Sequence, residues 1–206
     1  MGTEILRHID TGLLELGIAE WAMDGESGDA FVVEAFPGGA LVAVIDGLGH
    51  GHHAAVAARA AVEVLQAHAS EPLEPLLNAC HEALRTTRGA VISLASVRPG
   101  VMSWVGVGNV QGALLVGRRG KPDKLLAGRG GIVGHGRLPG ARVATVQIAR
   151  GDTLVFTTDG VRSESISVLD RDATPQANAE RILAAGSSRR DDALVVVARY
   201  RGEVTA

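Results

Sequence analysis

The chain has 206 residues, 46% of them apolar and 21% charged, which excludes global disorder and leaves room for a sizeable core. One cysteine, Cys80, excludes an internal disulfide framework and a cysteine-rich zinc site. The net charge is −3, yet residues 1–82 carry 13 acidic against 2 basic side chains and residues 83–206 carry 10 against 18, an imbalance that argues against nucleic-acid coating and fits a carboxylate-rich site taking cations.

In chain order, apolar runs from Leu13 to Trp21 and from Ala30 to Ala35 predict strands around the turn-forming cluster Asp24–Asp29. Ala40 to Ile45 is a continuous apolar run of strand length, buried on both faces. His52 to His68 is alanine-rich without Gly or Pro and predicts a helix. A second helix begins near Pro72, with Leu73, Leu76, Leu77, Cys80 and Leu84 in one stripe, and stops at Gly89. Pro75 fits its first turn, where the backbone N–H has no helical partner.

Val91 to Val97 and Val101 to Val107 are strands joined by the hairpin signal Arg98-Pro99-Gly100. Val110 to Val116 is another strand, and Gly117 to Gly140 reads as loop. Val143 to Ile148 and Thr153 to Thr158 are two more strands. Thr174-Pro175 is an N-cap followed by proline at the first helical position, and that helix stops at Gly186. Ala193 to Ala198 is a last buried strand. Strands that cluster rather than alternate with helices predict α+β with mainly antiparallel sheet. No apolar run is long enough to cross a bilayer and no signal-peptide layout opens the chain, so the expected location is cytoplasmic, with no membrane or nucleic-acid partner.

Asp29, Asp46, Asp159 and the pair Asp191-Asp192 each lie at the edge of a predicted strand, most of them beside glycine. For any one of them, turn chemistry suffices. Together they point to a site for Mg²⁺ or Mn²⁺, since carboxylates are hard oxygen ligands.

Gly28-Asp29, Asp46-Gly47-Leu48-Gly49-His50-Gly51, Thr158-Asp159-Gly160 and Arg190-Asp191-Asp192 follow the order and spacing of the PPM family. The chain resembles the bacterial SpoIIE-type branch of these metal-dependent serine/threonine phosphatases. Arg88-Gly89-Ala90, Val107-Gly108-Asn109-Val110 and the glycine-rich stretch 128–136 extend the likeness to small stand-alone phosphatases of the stressosome pathway. The resemblance runs from about Gly28 to Arg199. It implies one domain over residues 1–206 with a four-layer αββα sandwich, two mainly antiparallel sheets and two Mn²⁺ or Mg²⁺ ions at one edge.

It further implies catalytic and metal roles for Asp46, Asp159 and Asp191. Asp46 would bridge both ions, the Gly47 carbonyl would hold the first, Asp159 and Asp191 the second, and Asp29 would act directly or through water. A water activated by the two metals would attack phosphorus in line, without a covalent intermediate. The implied substrates are phosphorylated STAS-domain proteins. His50, Asn109 and Asp192 would support the site or contact phosphate. Arg129 is singled out for the same role from the basic residues Arg118, Arg119, Lys121, Lys124, Arg129, Arg137 and Arg142, which otherwise read as a solvated loop. Many SpoIIE-type members carry a second acidic residue three positions after the first Asp. Val32 stands there in this chain, the one motive for a non-catalytic phosphoprotein-binding relative.

Other readings are weaker. Gly47–Gly51 is spaced G-x-G-x-G rather than as a dinucleotide-binding fingerprint. His50, His52 and His53 lack the i, i+4 spacing of a helical zinc pair, and His68, His81 and His135 read as exposed or satisfied surface residues. No Gly-x-Ser-x-Gly elbow is present, and Cys80 sits on an apolar helix stripe as a structural thiol.

Overall fold

The computed structural model describes residues 2–23, 25–117, 123–138, 140 and 142–202. Arg118, Arg119 and Lys121 of the basic stretch, and Asp24 of the predicted turn, lie outside the described residues.

The chain builds two antiparallel sheets flanked by helices. In order, the elements are β1 (Thr3–Asp10), β2 (Leu14–Ala22), β3 (Asp29–Phe36), β4 (Gly39–Gly47), α1 (His52–Ala67) and α2 (Leu73–Leu84). Next come β5 (Ala90–Arg98), β6 (Val101–Val107), β7 (Gln111–Leu115), β8 (Lys124–Leu126), β9 (Ala144–Gln147) and β10 (Thr153–Thr157). A 3₁₀ segment (Ser163–Val168), α3 (Pro175–Gly186) and β11 (Ala193–Tyr200) complete the order. One sheet runs β1-β2-β11-β10-β7-β8 and the other β3-β4-β5-β6-β9.

Three apolar layers hold these elements together. Leu16, Ile18, Val42, Val44, Phe156 and Val196 fill the space between the sheets. On the outer face of the β4 sheet, Leu41, Ala43 and Ile45 pack under α1 and α2, against Ala58, Leu65, Leu76 and Leu77. On the outer face of the other sheet, Ala19, Val195 and Val197 pack under α3, against Ile182 and Leu183. The order is therefore helix, sheet, sheet, helix. β4 is buried on both faces because alternate side chains serve two different cores.

Local signals account for the element ends. Gly100, with φ of 74°, lets Pro99-Gly100 close the β5–β6 hairpin. Thr174 Oγ1 accepts a hydrogen bond from Ala177 N at 3.2 Å, with Pro175 opening α3.

Four features differ from the sequence reading; one is that α2 ends at Leu84 rather than at Gly89. β1 was not expected: its side chains are mostly exposed and polar, and it is a strand because it pairs along its whole length with β2. β8 lies inside the stretch read as loop, held by pairing with β7. His81 is a buried residue of α2 rather than a surface one, and its Nδ1 accepts from Gly134 N at 3.0 Å. Among the described residues no helix is long and apolar enough to cross a membrane.

Replacing the α3 cap, Thr174→Ala, should lower unfolding free energy by about 1 kcal/mol in urea titration, because the first turn loses its side-chain acceptor.

Candidate metal centre

Four chain segments converge at one end of the sandwich. Asp29 opens β3, Asp46 lies one residue before the end of β4, and the two are direct partners across the antiparallel pair. Opposed residues share a face, with Cβ atoms about 5 Å apart. That face carries Val42 and Val44 into the inter-sheet core, so both carboxylates stand at its rim. Asp159 follows β10, and Asp191 and Asp192 precede β11, in the opposite sheet. The five carboxylates line a cleft of about 360 Å³ with Leu48, His50, Asn109 and Ile132.

Glycine permits this convergence. A side chain at Gly47 would collide with the Ala54 carbonyl of α1, and one at Gly160 with the Asp192 carbonyl. Both segments need bare backbone to come this close.

Hydrogen bonds then tie the two sheets together. Thr158 Oγ1 donates to Asp29 Oδ2 at 2.6 Å and accepts from Leu194 N at 2.9 Å. Asp192, only 6% exposed, accepts from Met23 N at 2.9 Å and from Gly28 N at 2.7 Å, one amide on each oxygen. Asn109 Nδ2 donates to Asp159 Oδ2 at 2.9 Å. Asp191 is exposed and accepts only the amide of its neighbour Asp192. The adjacent carboxylates therefore divide: Asp192 is occupied by main-chain amides, and Asp191 faces the cleft.

Burial and crowding raise Asp29 and Asp46. Burial, then the charge of Asp46, pushes the Asp29 carboxyl well above the usual range, against the lowering effect of the Thr158 bond. Burial, then the charges of Asp159, Asp191 and Asp192, pushes Asp46 up to about 7. No lysine or arginine is among the residues lining the cleft. A cluster of this sign is stable in its charged form only with cations.

The donor set consists of carboxylate oxygens, which suits Mg²⁺ or Mn²⁺. Among the described residues no three acidic, histidine or cysteine side chains are already drawn into a ready-made metal-ligating group. Asp29 is turned onto Thr158 and Asp159 onto Asn109, whereas Asp46 makes no side-chain hydrogen bond. Chemistry and charge thus fit hard divalent cations.

The structure brings Asp29, Asp46, Asp159, Asp191, Asp192, His50 and Asn109 to the cleft. Gly47 adjoins it through backbone. Arg129 is not among the lining residues; its main chain bonds Gly106 and Gly108. His52 pairs with Glu26 at 3.3 Å, away from His50. Val32 is 2% exposed and packs in the core under α1, on the opposite face of β3 from Asp29. An acidic residue there would not face the cleft in this register. β4 has antiparallel neighbours on both sides, so Gly47–Gly51 lacks the parallel β-α-β setting of a dinucleotide turn. Sequence reasoning gave Thr158 no role. Its signal was a hydroxyl directly before a strand-end Asp.

Residues 37–201 match the family model described as Stage II sporulation protein E (SpoIIE). The chain belongs to the SpoIIE-type PPM phosphatases. Phosphoserine phosphatase RsbX of Bacillus subtilis (strain 168) is 27% identical to this SpoIIE-type phosphatase over 190 residues, covering 90% of this chain and 92% of that protein. A solved structure from work on the bacterial stressosome as a modular system controlling secondary messenger signalling is 30% identical. It has a TM-score of 0.81, covering 90% of this chain and 99% of its own. The crystal structure of RsbX in complex with magnesium has a TM-score of 0.83 at 20% identity, covering 95% and 100%. The αββα arrangement is the fold of these relatives.

Two predictions separate the carboxylates of the metal-free phosphatase. Asp192→Asn should lower unfolding free energy by about 1–3 kcal/mol, since an amide cannot accept both backbone bonds, whereas Asp191→Asn should change it by less than about 0.5 kcal/mol. Chemical denaturation in EDTA reads both.

Asp46 binds its proton more tightly folded than unfolded, so its contribution to stability is present below about pH 4 and lost as pH rises through about 7. Asp46→Asn should therefore be more stable than the parent at pH 8, by on the order of a few kcal/mol. The gain should vanish below pH 4 and shrink when Mn²⁺ is added to the parent. Thermal melts across pH with and without metal check this.

Proposed function

We propose that this SpoIIE-type phosphatase hydrolyses phosphoserine and phosphothreonine on STAS-domain proteins of a stressosome-type signalling module. The observation that carries the reading is the cross-strand pair Asp29–Asp46 facing Asp159 and Asp191 from the other sheet. The named relatives support it: RsbX carries the name phosphoserine phosphatase and crystallised with magnesium, and the 30%-identical structure comes from stressosome work.

In this reading Asp46 would serve two ions, Mn²⁺ or Mg²⁺, with the Gly47 carbonyl and Asp29 as donors for one and Asp159 and Asp191 as donors for the other. Two such ions, when bound, offset the carboxylate charge, polarise the phosphoryl oxygens and activate a water for in-line attack on phosphorus. The protein's part is to hold its donors still. Asn109 orients Asp159 through its hydrogen bond. Asp192 fastens the turn before β3, so that Asp29 stays opposite Asp46. Thr158 fixes the Asp29 carboxyl from the facing sheet. Leu48, Val91 and Ile132 give the cleft an apolar wall that limits water around the phosphoryl group. His50 stands exposed at the rim, where an incoming phosphate passes.

The whole chain, 1–206, serves as one catalytic domain in this proposal. The sharing of one sheet by β1, β2 and β11 supports that reading. The non-catalytic reading loses its motive, because Val32 belongs to the core beneath α1.

Phosphate release from a phosphoserine STAS-domain protein should require Mn²⁺ or Mg²⁺ and cease in EDTA. Asp46→Ala and Asp159→Ala should each lower kcat/KM by on the order of 100-fold or more, with the fold retained by circular dichroism. Undiminished turnover in EDTA would falsify the proposal.

A further inference from the structure

A second hollow opens beside the metal cleft. Its floor is the main chain from Gly108 to Gly112, its wall runs from Leu125 to Gly128, and Ser163 stands at its rim. It encloses about 320 Å³, and Asn109 lines both spaces, so the groove continues the cleft. Gly112 and Gly128 stay bare in its lining because side chains there would press on Phe156 and on the Gly108 carbonyl.

The wall is apolar where a solvated surface would be polar. Leu125 is 77% exposed, the most exposed large apolar side chain among the described residues. Its neighbour Leu126 is buried in the inter-sheet core, so strand alternation directs Leu125 outward. A lone exposed leucine is ordinary. A leucine walling an apolar groove that opens on a catalytic cleft is a recognition feature. Lys124 and Arg129, both exposed, flank this wall and suit an anionic chain.

We propose that this groove seats the segment of the phosphoprotein next to the phosphorylated residue and takes one of its apolar side chains. Substrate choice is then set outside the metal centre. The inference rests on the phosphatase reading. With the phosphoryl group in the cleft, the flanking chain passes Asn109 and lays its apolar residue against Leu125 and Ala127. A second copy of this chain is the poorer occupant, because a stable dimer needs an apolar surface far larger than one exposed leucine and a groove of this size.

The test uses phosphoserine peptides on a Gly/Ser background, with one leucine walked through three positions on each side of the phosphoserine. One register should raise kcat/KM by about 10-fold, the scale of one apolar side chain entering a pocket. Leu125→Asp, and independently Ser163→Trp at the exposed rim, should abolish that gain. Mn²⁺-dependent hydrolysis of p-nitrophenyl phosphate, which is too small to reach the groove, should stay within about two-fold of the parent in both. Equal kcat/KM in all registers, or a gain that survives both substitutions, overturns the groove proposal while p-nitrophenyl phosphate turnover keeps the phosphatase reading intact. A parent protein without Mn²⁺-dependent p-nitrophenyl phosphate hydrolysis overturns both.

Discussion

The repulsion among five carboxylates at one end of the sandwich is the constraint on which the rest of the structure depends. Burial and mutual charge raise Asp29 and Asp46 far from the ordinary carboxylate range. Among the described residues no lysine or arginine is part of the cleft lining. The fold opposes the strain with hydrogen bonds that cross between sheets, from Thr158 to Asp29 and from Gly28 and Met23 to Asp192. Three dry apolar layers behind these bonds keep the strands from yielding. An arrangement unfavourable by itself and favourable with cations is what a metal-dependent phosphatase requires.

The same logic explains the unequal charge of the two parts of the chain. β11 brings the basic C-terminal part beside β2, and β1 follows at the edge. Arg201 then meets Asp10 at 2.7 Å and Glu15 at 3.2 Å, and Arg189 meets Glu4 at 3.6 Å. Exposed pairs of this kind are worth about 0–1 kcal/mol each, so they follow from the topology rather than cause it. The charge asymmetry is bridged within one sheet, where β11 lies beside β2. The carboxylate-lined cleft takes Asp29 and Asp46 from the acidic part and the other three carboxylates from the basic part.

Much of the fold was legible because its signals are local. Arg98-Pro99-Gly100, Thr174-Pro175 and the leucine stripe of α2 each state their structure within a few residues. β1 and β8 were not legible, because neither has a core-facing pattern of its own and each exists through a partner strand. His81 was misplaced for a related reason. It lies beside the apolar stripe of α2, and only the return of the Gly134 segment buries it and supplies its donor.

The sequence by itself determined which groups are the candidates for the chemistry: the acidic residues Asp29, Asp46, Asp159 and Asp191 at strand ends, with glycine where backbone must come close. It did so because strand ends, turns and donor chemistry are properties of neighbouring residues. Only the tertiary structure decided that Asp29 faces Asp46 in register, that Asp192 clamps a turn while Asp191 is left to the cleft, and that Val32 belongs to the helix-side core. Those outcomes depend on strand pairing and sheet stacking, and the Thr158–Asp29 and Asp192–Gly28 bonds join residues more than a hundred positions apart. Register is an alternation of two, so a shift by one residue would have turned each of these side chains to the other face.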